Sequence, residues 1–176
     1  MRPEPDCRRC GLCEGRTNIV LPSGNFSTGI ILVGEAPGEN EDFQGKPFVG
    51  RSGKILDGLL ADAGLSRDQL LITNTVKCRP PGNRDPTQEE MEACRPFLEA
   101  ELHDARIVVG LGKSACRDLM GFEGRMAEIV NVKTTIRVGD RDVPFVPTYH
   151  PAATIYNRNS RDELRKTFEM LAEEYL

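Results

Sequence analysis

The sequence predicts an α/β fold in which a mostly parallel sheet of four strands is covered by helices on both faces. Four short apolar runs follow one another along the chain, as expected of strands buried on both sides: residues 29–33, 70–73, 106–109 and 143–146. Segments with helical spacing separate these runs, and strands that alternate with helices form parallel sheets. A length of 176 residues suits one core, so we expect residues 1–176 to form a single domain.

The first predicted helices are marked by their apolar spacing and by a cap. Residues 52–64 carry apolar side chains at helical intervals. Thr87 and Glu90 form a capping box that opens the next helix. Pro96 has no amide proton, so we predict that this helix breaks after Cys94 and resumes as a second piece.

The second half of the chain predicts two further helices and a hairpin. Residues 114–120 form a short helix that a glycine closes. The Val-Gly-Asp-Arg sequence at 138–141 is typical of a hairpin turn. Ser160 and Glu163 form another capping box, which predicts a C-terminal helix with an apolar stripe of Leu164, Phe168, Leu171 and Tyr175.

Polar motifs follow three of the predicted strands. The loop at 34–38 follows the first strand, Asn74 follows the second, and His150 follows the last. Ligands of parallel sheets bind beyond the carboxyl ends of the strands, so we expect Glu35, Asn74 and His150 to lie close together. The 34–38 loop has neither the spacing nor the lysine of a phosphate-binding loop, and its glutamate favours a neutral ligand.

Six cysteines in a chain without an apolar export signal favour metal binding over disulfides. Cys7 and Cys10 have the tight spacing of metal ligands, whereas Cys78 and Cys94 are far apart. That wide gap favours an iron–sulfur cluster over zinc, although zinc also takes four thiolates. Cys13 repeats the tight spacing and stays ambiguous.

Cys116 and the spacing of the first three cysteines bear on which thiols could bind a metal group and on what that group could do. Cys116 lies in a short helix among apolar neighbours and is expected in the core. Cys7, Cys10 and Cys13 resemble the start of a ferredoxin run, but Thr17 stands where the fourth cysteine belongs. The sequence therefore disfavours an electron carrier.

Charge alone does not predict a nucleic-acid ligand. The net charge is −4, whereas phosphate contacts need local positive charge. Basic residues nevertheless cluster beside the cysteines and after the histidine motif. No apolar run approaches the roughly 20 residues that span a bilayer, so we expect a cytoplasmic protein without membrane contact.

Several segments together resemble the family 4 uracil-DNA glycosylases, the iron–sulfur branch of their superfamily. The segments are spread in order across nearly the whole chain: CRRCGLCEGRT, GIILVGEAPGENED, GKPFVGRSGKIL, LLITNTVKCRPPGNRDPTQEEMEAC and FVPTYHPAA. The resemblance implies a three-layer α/β/α sandwich. It also implies a [4Fe-4S] cluster with four ligands, namely Cys7, Cys10, Cys78 and Cys94.

The same resemblance implies the residues of the site. The uracil pocket would comprise Glu35, Ala36, Pro37, Phe48, Asn74 and His150, with Glu41 in support. Contacts to DNA are expected from Arg84, Ile155 and Tyr156. The implied partner is uracil-containing DNA, single- or double-stranded, bound by a monomer.

Chemical roles for these residues follow from their functional groups. Phe48 offers a face for stacking on a flipped pyrimidine, and the Asn74 amide can pair with uracil N3–H and O4. His150 is expected to stabilise negative charge on uracil O2. Because Ala36 stands where the best-known branch of the superfamily has an aspartate, we hypothesise that Glu35 orients the attacking water.

Two alternatives from other functional classes remain at this point. A non-catalytic iron–sulfur module that binds nucleic acid would keep the basic loops and the cluster, but it would not need Glu35, Asn74 and His150 to converge. An iron–sulfur redox carrier would need a cluster that accepts and returns electrons and would release no base.

Overall fold

The structure, a computed structural model, describes residues 1–176 and contains six strands and five helices. The strands are β1 (Ser23–Gly24), β2 (Ile30–Gly34), β3 (Leu71–Asn74), β4 (Ile107–Leu111), β5 (Thr134–Val138) and β6 (Arg141–Thr148). The helices are α1 (Glu39–Gln44), α2 (Arg51–Asp62), α3 (Gln88–Leu102), α4 (Lys113–Met120) and α5 (Arg158–Tyr175).

The six strands form one sheet in the order β1-β3-β2-β4-β6-β5. The four central strands are parallel, which confirms the predicted parallel core. The predicted number of four strands is wrong, because an antiparallel strand borders each edge. The two-residue β1 is exposed and has no apolar pattern to reveal it. The predicted hairpin turn is confirmed, since β5 and β6 meet where Val138 pairs with Arg141.

Helices cover both faces of the sheet, as the apolar runs predict. Ile30 and Leu32 of β2 point to the face that packs against α2 and α5. Ile31 and Val33 point to the opposite face, which packs against α3 and α4. The fold is therefore the three-layer α/β/α sandwich. The chain passes from β2 to β3 on one side and returns to β4 on the other, so a crevice opens at the carboxyl ends of β2 and β4.

Helix α3 runs without a break through Pro96, contrary to the prediction. A proline inside a helix costs about 3 kcal/mol. That cost is offset by the buried side chains on both sides of it, each of which contributes about 1.5–3 kcal/mol: Cys94, Phe97, Leu98 and Leu102. The capping box of Thr87 and Glu90 is confirmed.

Helix α5 begins earlier than predicted. Its cap is Asn157, whose side chain accepts a hydrogen bond from the Asn159 amide at 2.9 Å, and not Ser160. Ser160 lies buried one turn further on. The predicted apolar stripe packs against the sheet through Leu164, Phe168, Leu171 and Tyr175. None of the five helices combines the length and the apolar character that crossing a membrane requires.

Candidate functional site

A cavity of about 620 Å³ opens at the carboxyl ends of the central strands. It brings together the three residues that follow the predicted strands, namely Glu35, Asn74 and His150. Eight further residues line it: Ala36, Gly38, Glu41, Phe48, Ser52, Asn83, Ala152 and Tyr156. The cavity is therefore the place where the polar motifs of the sequence meet.

The floor of the cavity depends on the absence of a side chain at Gly34, the last residue of β2. A Cβ atom there would lie 2.6 Å from Asn74 Oδ1 and 2.6 Å from Phe48 Cζ. Neither neighbour could give way easily, because Asn74 and Phe48 are both buried. Glycine thus allows an amide and an aromatic ring to lie together over the end of the strand.

Phe48 has an unusual backbone conformation that the surrounding residues stabilise. Its φ of 52° is in the left-handed region that disfavours residues with side chains. Arg67 donates hydrogen bonds to the Phe48 carbonyl and, at 3.2 Å, to the Pro47 carbonyl. The Phe48 ring stacks on His150, with centroids 5.7 Å apart. The loop is therefore fixed in a form that presents an aromatic face to the cavity.

Glu41 holds the two loops that border the cavity. Its carboxylate accepts hydrogen bonds from the amides of Gly38 at 3.0 Å, Val49 at 2.9 Å and Gly50 at 2.7 Å. Gly38 belongs to the loop after β2, whereas Val49 follows Phe48 directly. The carboxylate thus joins the two loops.

His150 is arranged as a neutral hydrogen-bond donor. Its Nδ1 accepts a hydrogen bond from the Ala152 amide at 3.1 Å, which places the ring proton on Nε2. Burial lowers the pKa of His150 to about 4, although Glu41 opposes this by favouring the charged form. The imidazole is therefore uncharged at neutral pH, with Nε2–H available to a ligand in the cavity.

Glu35 follows β2 directly and has a carboxyl group whose pKa is raised well above its ordinary value. Its backbone carbonyl accepts hydrogen bonds from Thr75 Oγ1 at 2.6 Å and from the Val76 amide at 3.4 Å. Burial, followed by a side-chain hydrogen bond with Asp85, raises the pKa of Glu35 to about 7. Ser114 and Arg117 of α4 act in the opposite direction. Such a perturbed carboxyl in a cavity marks a candidate for proton chemistry.

The other predicted site residues occupy different positions. Ala36 lines the cavity, while Pro37 is buried beside it in the chain. Tyr156 lies at the rim and is 89% exposed, next to the less exposed Ile155. Arg84 does not line the cavity and pairs with Glu90 at 2.8 Å.

Four cavity residues were not among the predicted site residues, namely Gly38, Ser52, Asn83 and Ala152. Ser52 is in the first turn of α2, where a small polar residue gives no signal of function. Asn83 has a φ of 57° within a turn of the proline-rich loop 79–86. The Gly-Asn pair in that loop predicts a turn, but it does not show which way the amide faces.

A second, smaller cavity is lined by four cysteines from three separate stretches of chain. They are Cys7, Cys10, Cys78 and Cys94. Cys13 lies outside this cavity, and Cys116 is buried in the core between the sheet and α4. No three His, Cys, Asp or Glu side chains are close enough to hold a single metal ion.

The chemistry of the cysteine-lined cavity suits a ligand that binds thiolates. Arg16 donates a hydrogen bond to the Cys7 carbonyl at 2.6 Å and another to Cys78 Sγ at 3.7 Å. Burial raises the pKa of Cys78 to about 11, so this thiol stays protonated until a metal displaces the proton. Arg9 and Lys77 add positive charge to the lining. Cationic side chains beside four sulfurs compensate the negative charge that metal–thiolate ligation creates.

The fold and the cavity place the chain in one class of proteins. Residues 21–172 match the sequence profile of the uracil DNA glycosylase superfamily.

Curated relatives narrow the class to one family. The type-4 uracil-DNA glycosylase of Sulfurisphaera tokodaii is 41% identical over 174 residues, which cover 95% of this chain and 79% of that one. The enzyme of the same name from Archaeoglobus fulgidus is 41% identical over 95% of this chain and 87% of its own. The type-4 uracil-DNA glycosylase of Thermotoga maritima is 42% identical over 91% of this chain and 82% of its own. The chain belongs to the type-4 uracil-DNA glycosylases.

Proposed function

We propose that the protein flips uracil out of single- or double-stranded DNA and hydrolyses its N-glycosidic bond, which leaves an abasic site. The observation that carries this proposal is the neutral His150 ring, whose Nε2–H is free to donate in the cavity that the Asn74 amide also lines. The His150 Nε2–H suits the negative charge that develops on a departing base. The Asn74 amide suits the edge by which uracil differs from cytosine.

Recognition of uracil would rest on Asn74 and Phe48. The Asn74 amide offers an acceptor for uracil N3–H and a donor for O4, while cytosine presents the opposite pattern at those positions. A buried amide left unpaired by the wrong base gives strong discrimination. Phe48 supplies the stacking face, while Ala36, which the buried Pro37 follows in the chain, forms part of the wall. A base must leave the duplex to enter such a cavity.

Cleavage would begin with departure of the base. The electron pair of the C1′–N1 bond leaves with uracil, and negative charge develops on O2. The His150 Nε2–H donates a hydrogen bond to that oxygen. A preorganised donor of this kind contributes about 3–4 kcal/mol to the transition state. Because His150 is neutral, it stabilises the charge as a fixed dipole and need not transfer a proton.

Glu35 would act on the sugar side of the reaction. The methyl group of Ala36 cannot activate water, whereas Glu35 lines the cavity next to it. In its ionised form, Glu35 orients a water molecule toward C1′ and favours the positive charge that develops on the sugar. As the water oxygen bonds to C1′, Glu35 accepts the proton that the water gives up. Glu41 would support the site by holding the loops that carry Gly38 and Phe48.

Contacts to DNA would come from the rim of the cavity. Tyr156 and Ile155 are both exposed and could enter the space that the flipped base leaves. Arg84 is partly exposed, so a phosphate contact remains part of the proposal despite its ion pair. We also propose that residues 1–176 act as a monomeric single domain. The six free cysteines suit the reducing cytoplasm.

We further propose that Cys7, Cys10, Cys78 and Cys94 hold a [4Fe-4S] cluster. The observation that supports a shared metal group is that these four cysteines line one small cavity, and four thiolates are the usual ligands of such a cluster. When bound, the cluster would supply metal–thiolate bonds that tie the N-terminal stretch to the segment after β3 and to α3. Its role would be in folding, since the cysteine-lined cavity is separate from the site of base release.

The decisive experiment is a base-release assay on oligonucleotides that contain one uracil. Uracil opposite guanine, opposite adenine and in a single strand would each be incubated with the purified protein, and abasic sites would be detected by alkaline cleavage. We expect strand breaks at uracil and none at cytosine or thymine. Binding without breaks would favour the non-catalytic alternative. Reversible reduction without base release would favour the redox carrier.

Two variants connect that assay to the cavity. Asn74→Ala removes the amide that pairs with uracil, and His150→Ala removes the donor to O2. Iron and acid-labile sulfide would be measured on the same samples, because the cluster must remain for the comparison to hold. Near-normal uracil release by His150→Ala and by Glu35→Gln would contradict the assigned roles.

A further inference from the structure

Lys77 is a charged residue in the interior of the protein. Its side chain is 1% exposed, whereas lysine is almost never fully buried unless it is paired. A charge removed from water is costly without compensating partners, so the surroundings of Lys77 must supply them. The recognition and cleavage steps proposed above do not use this residue.

Three oxygen atoms surround the Lys77 ammonium group. Its Nζ donates hydrogen bonds of 2.7 Å to Thr73 Oγ1, to the Asn74 carbonyl and to Glu101 Oε1. The Thr73 hydroxyl also donates to Glu101 Oε1, at 2.7 Å. An ammonium group has three protons, and each has an acceptor here. Glu101 therefore balances the charge of Lys77, while the other two bonds are directed to the end of β3.

The bond from Lys77 fixes the peptide group that follows the uracil-pairing residue. The Asn74 carbonyl and the Thr75 amide belong to one planar peptide unit. Lys77 holds the carbonyl of this unit, and the Gly34 carbonyl of β2 accepts from the Thr75 amide at 3.0 Å. A plane held at both ends cannot rotate freely. The Asn74 side chain, which lines the cavity, projects from the Cα atom at one end of this plane.

We propose that Lys77 is a positioning residue for uracil recognition, which acts through Asn74 by holding the peptide group after it. This inference rests on the proposed function and adds to it the residue that sets the angle of the Asn74 amide. That amide must align two hydrogen bonds at once, to uracil N3–H and to O4, and such bonds weaken steeply when they are misaligned. A small rotation of the peptide would therefore weaken both.

Two variants separate this role from a contribution to folding. Glu101→Gln keeps an acceptor for Nζ and leaves the bond to the Asn74 carbonyl, but the charge of Lys77 becomes uncompensated. Breaking a buried ion pair in this way should lower the melting temperature by about 10 °C. Lys77→Met combined with Glu101→Gln removes both charges at similar volume. Stability should then recover toward the wild type, although the Asn74 carbonyl has lost its donor.

Single-turnover uracil release should follow the opposite order. The double variant should be about tenfold slower than the wild type, because a hydrogen bond from a charged donor is lost, and Glu101→Gln should lose less. Rates that followed the melting temperatures would make Lys77 purely structural and would overturn the proposal. Iron would be measured on each sample, since Cys78 is the next residue. Loss of iron together with the rate would assign the effect to Cys78 and would also overturn it.

A double-mutant cycle tests whether Lys77 acts through Asn74. The same two substitutions made in Asn74→Ala should cause little further loss of rate, because the amide that they misplace is already absent. Additive losses would contradict the proposal.

A second measurement does not depend on catalysis. The NMR signals of the Asn74 side-chain amide, assigned by their absence in Asn74→Ala, should move in the double variant and stay nearly in place in Glu101→Gln. If the protein released no uracil, the proposed function would fail, and these signals would still decide whether Lys77 positions Asn74. Unchanged signals in the double variant would exclude it.

Discussion

The cavity at the strand ends and the cysteine-lined cavity are formed in opposite ways. In the first, each functional group is oriented by bonds within the chain: three backbone amides hold Glu41, the Ala152 amide orients His150, and Arg67 fixes the loop of Phe48. In the second, the sulfurs come from distant stretches, and Arg16 provides a single long hydrogen bond to one of them.

The difference shows how a domain can separate catalysis from stability. The strand-end cavity is complete once the sheet and its loops have folded, so its ligand can enter and leave without disturbing the structure. The cysteine-lined cavity lies between the N-terminal stretch, the segment after β3 and α3. A bound metal cluster would therefore be part of the fold itself. Substitutions in the cysteine-lined cavity should therefore lower stability, whereas substitutions in the strand-end cavity should slow the reaction and leave the fold intact.

The largest effect is expected from Cys78→Ala. Loss of one of the four sulfurs should abolish cluster binding and lower the free energy of unfolding by about 4 kcal/mol, the stabilisation given by a ligand at a thousand times its dissociation constant. Chemical denaturation together with iron analysis would measure both effects. Cys13→Ala is the matched control and should retain iron and stability, because Cys13 lies outside the cavity. Equal iron content in the two variants would contradict the ligand set.

The second effect concerns catalysis alone. His150→Ala should slow single-turnover uracil release by about 10²–10³-fold, since the donor to the departing base is lost. Iron content should stay at the wild-type value, which would separate this region from the cysteines. His103→Ala is the control, because His103 is exposed at the end of α3. A loss of iron in His150→Ala would show that the two regions are not independent.

The smallest effect is expected where the two regions are joined, at the ion pair of Arg84 and Glu90. Glu90→Gln keeps the capping geometry but removes the charge, which should cost about 1 kcal/mol and lower the melting temperature by about 2–4 °C. Uracil release should fall by less than roughly tenfold, since no group that touches the base is removed. The exposed Glu89→Gln, next to it in α3, should melt like the wild type.

The effect of Glu90→Gln should also depend on pH. The Arg84 guanidinium holds the pKa of Glu90 below its usual range. The carboxylate therefore stabilises the fold above its ordinary pKa, and that contribution is lost as the pH falls through the lowered value. Melting curves of the variant and of the wild type should converge in acid. A difference in melting temperature that persisted at low pH would show that the ion pair is not its cause.

The fold could be predicted largely from apolar patterning. The parallel core, both helical layers, the α3 capping box and the β5–β6 turn follow from rules that act over a few residues. The antiparallel edge strand β1 did not follow, because it consists of two exposed residues without an apolar pattern. The unbroken α3 also required tertiary knowledge, since packing around Pro96 outweighs the local penalty. At α5, two cap-forming residues, Asn157 and Ser160, compete within a few positions.

The candidate site was only partly accessible from the sequence. The rule for strand ends brought Glu35, Asn74 and His150 together without any knowledge of side-chain orientation. The supporting contacts were not accessible in this way, since the Arg67 bonds to the Phe48 loop span 19 residues and the Glu41 bonds depend on loop shape.

The hydrogen bond from the Ala152 amide to His150 has a consequence for repeated turnover. Because the ring enters each cycle neutral and would leave it neutral, His150 itself has no proton to regain between one base and the next. The departing uracil anion would take its proton from water after release. The Ala152 amide would thus set the protonation of the ring once, when the chain folds, and not anew in each cycle.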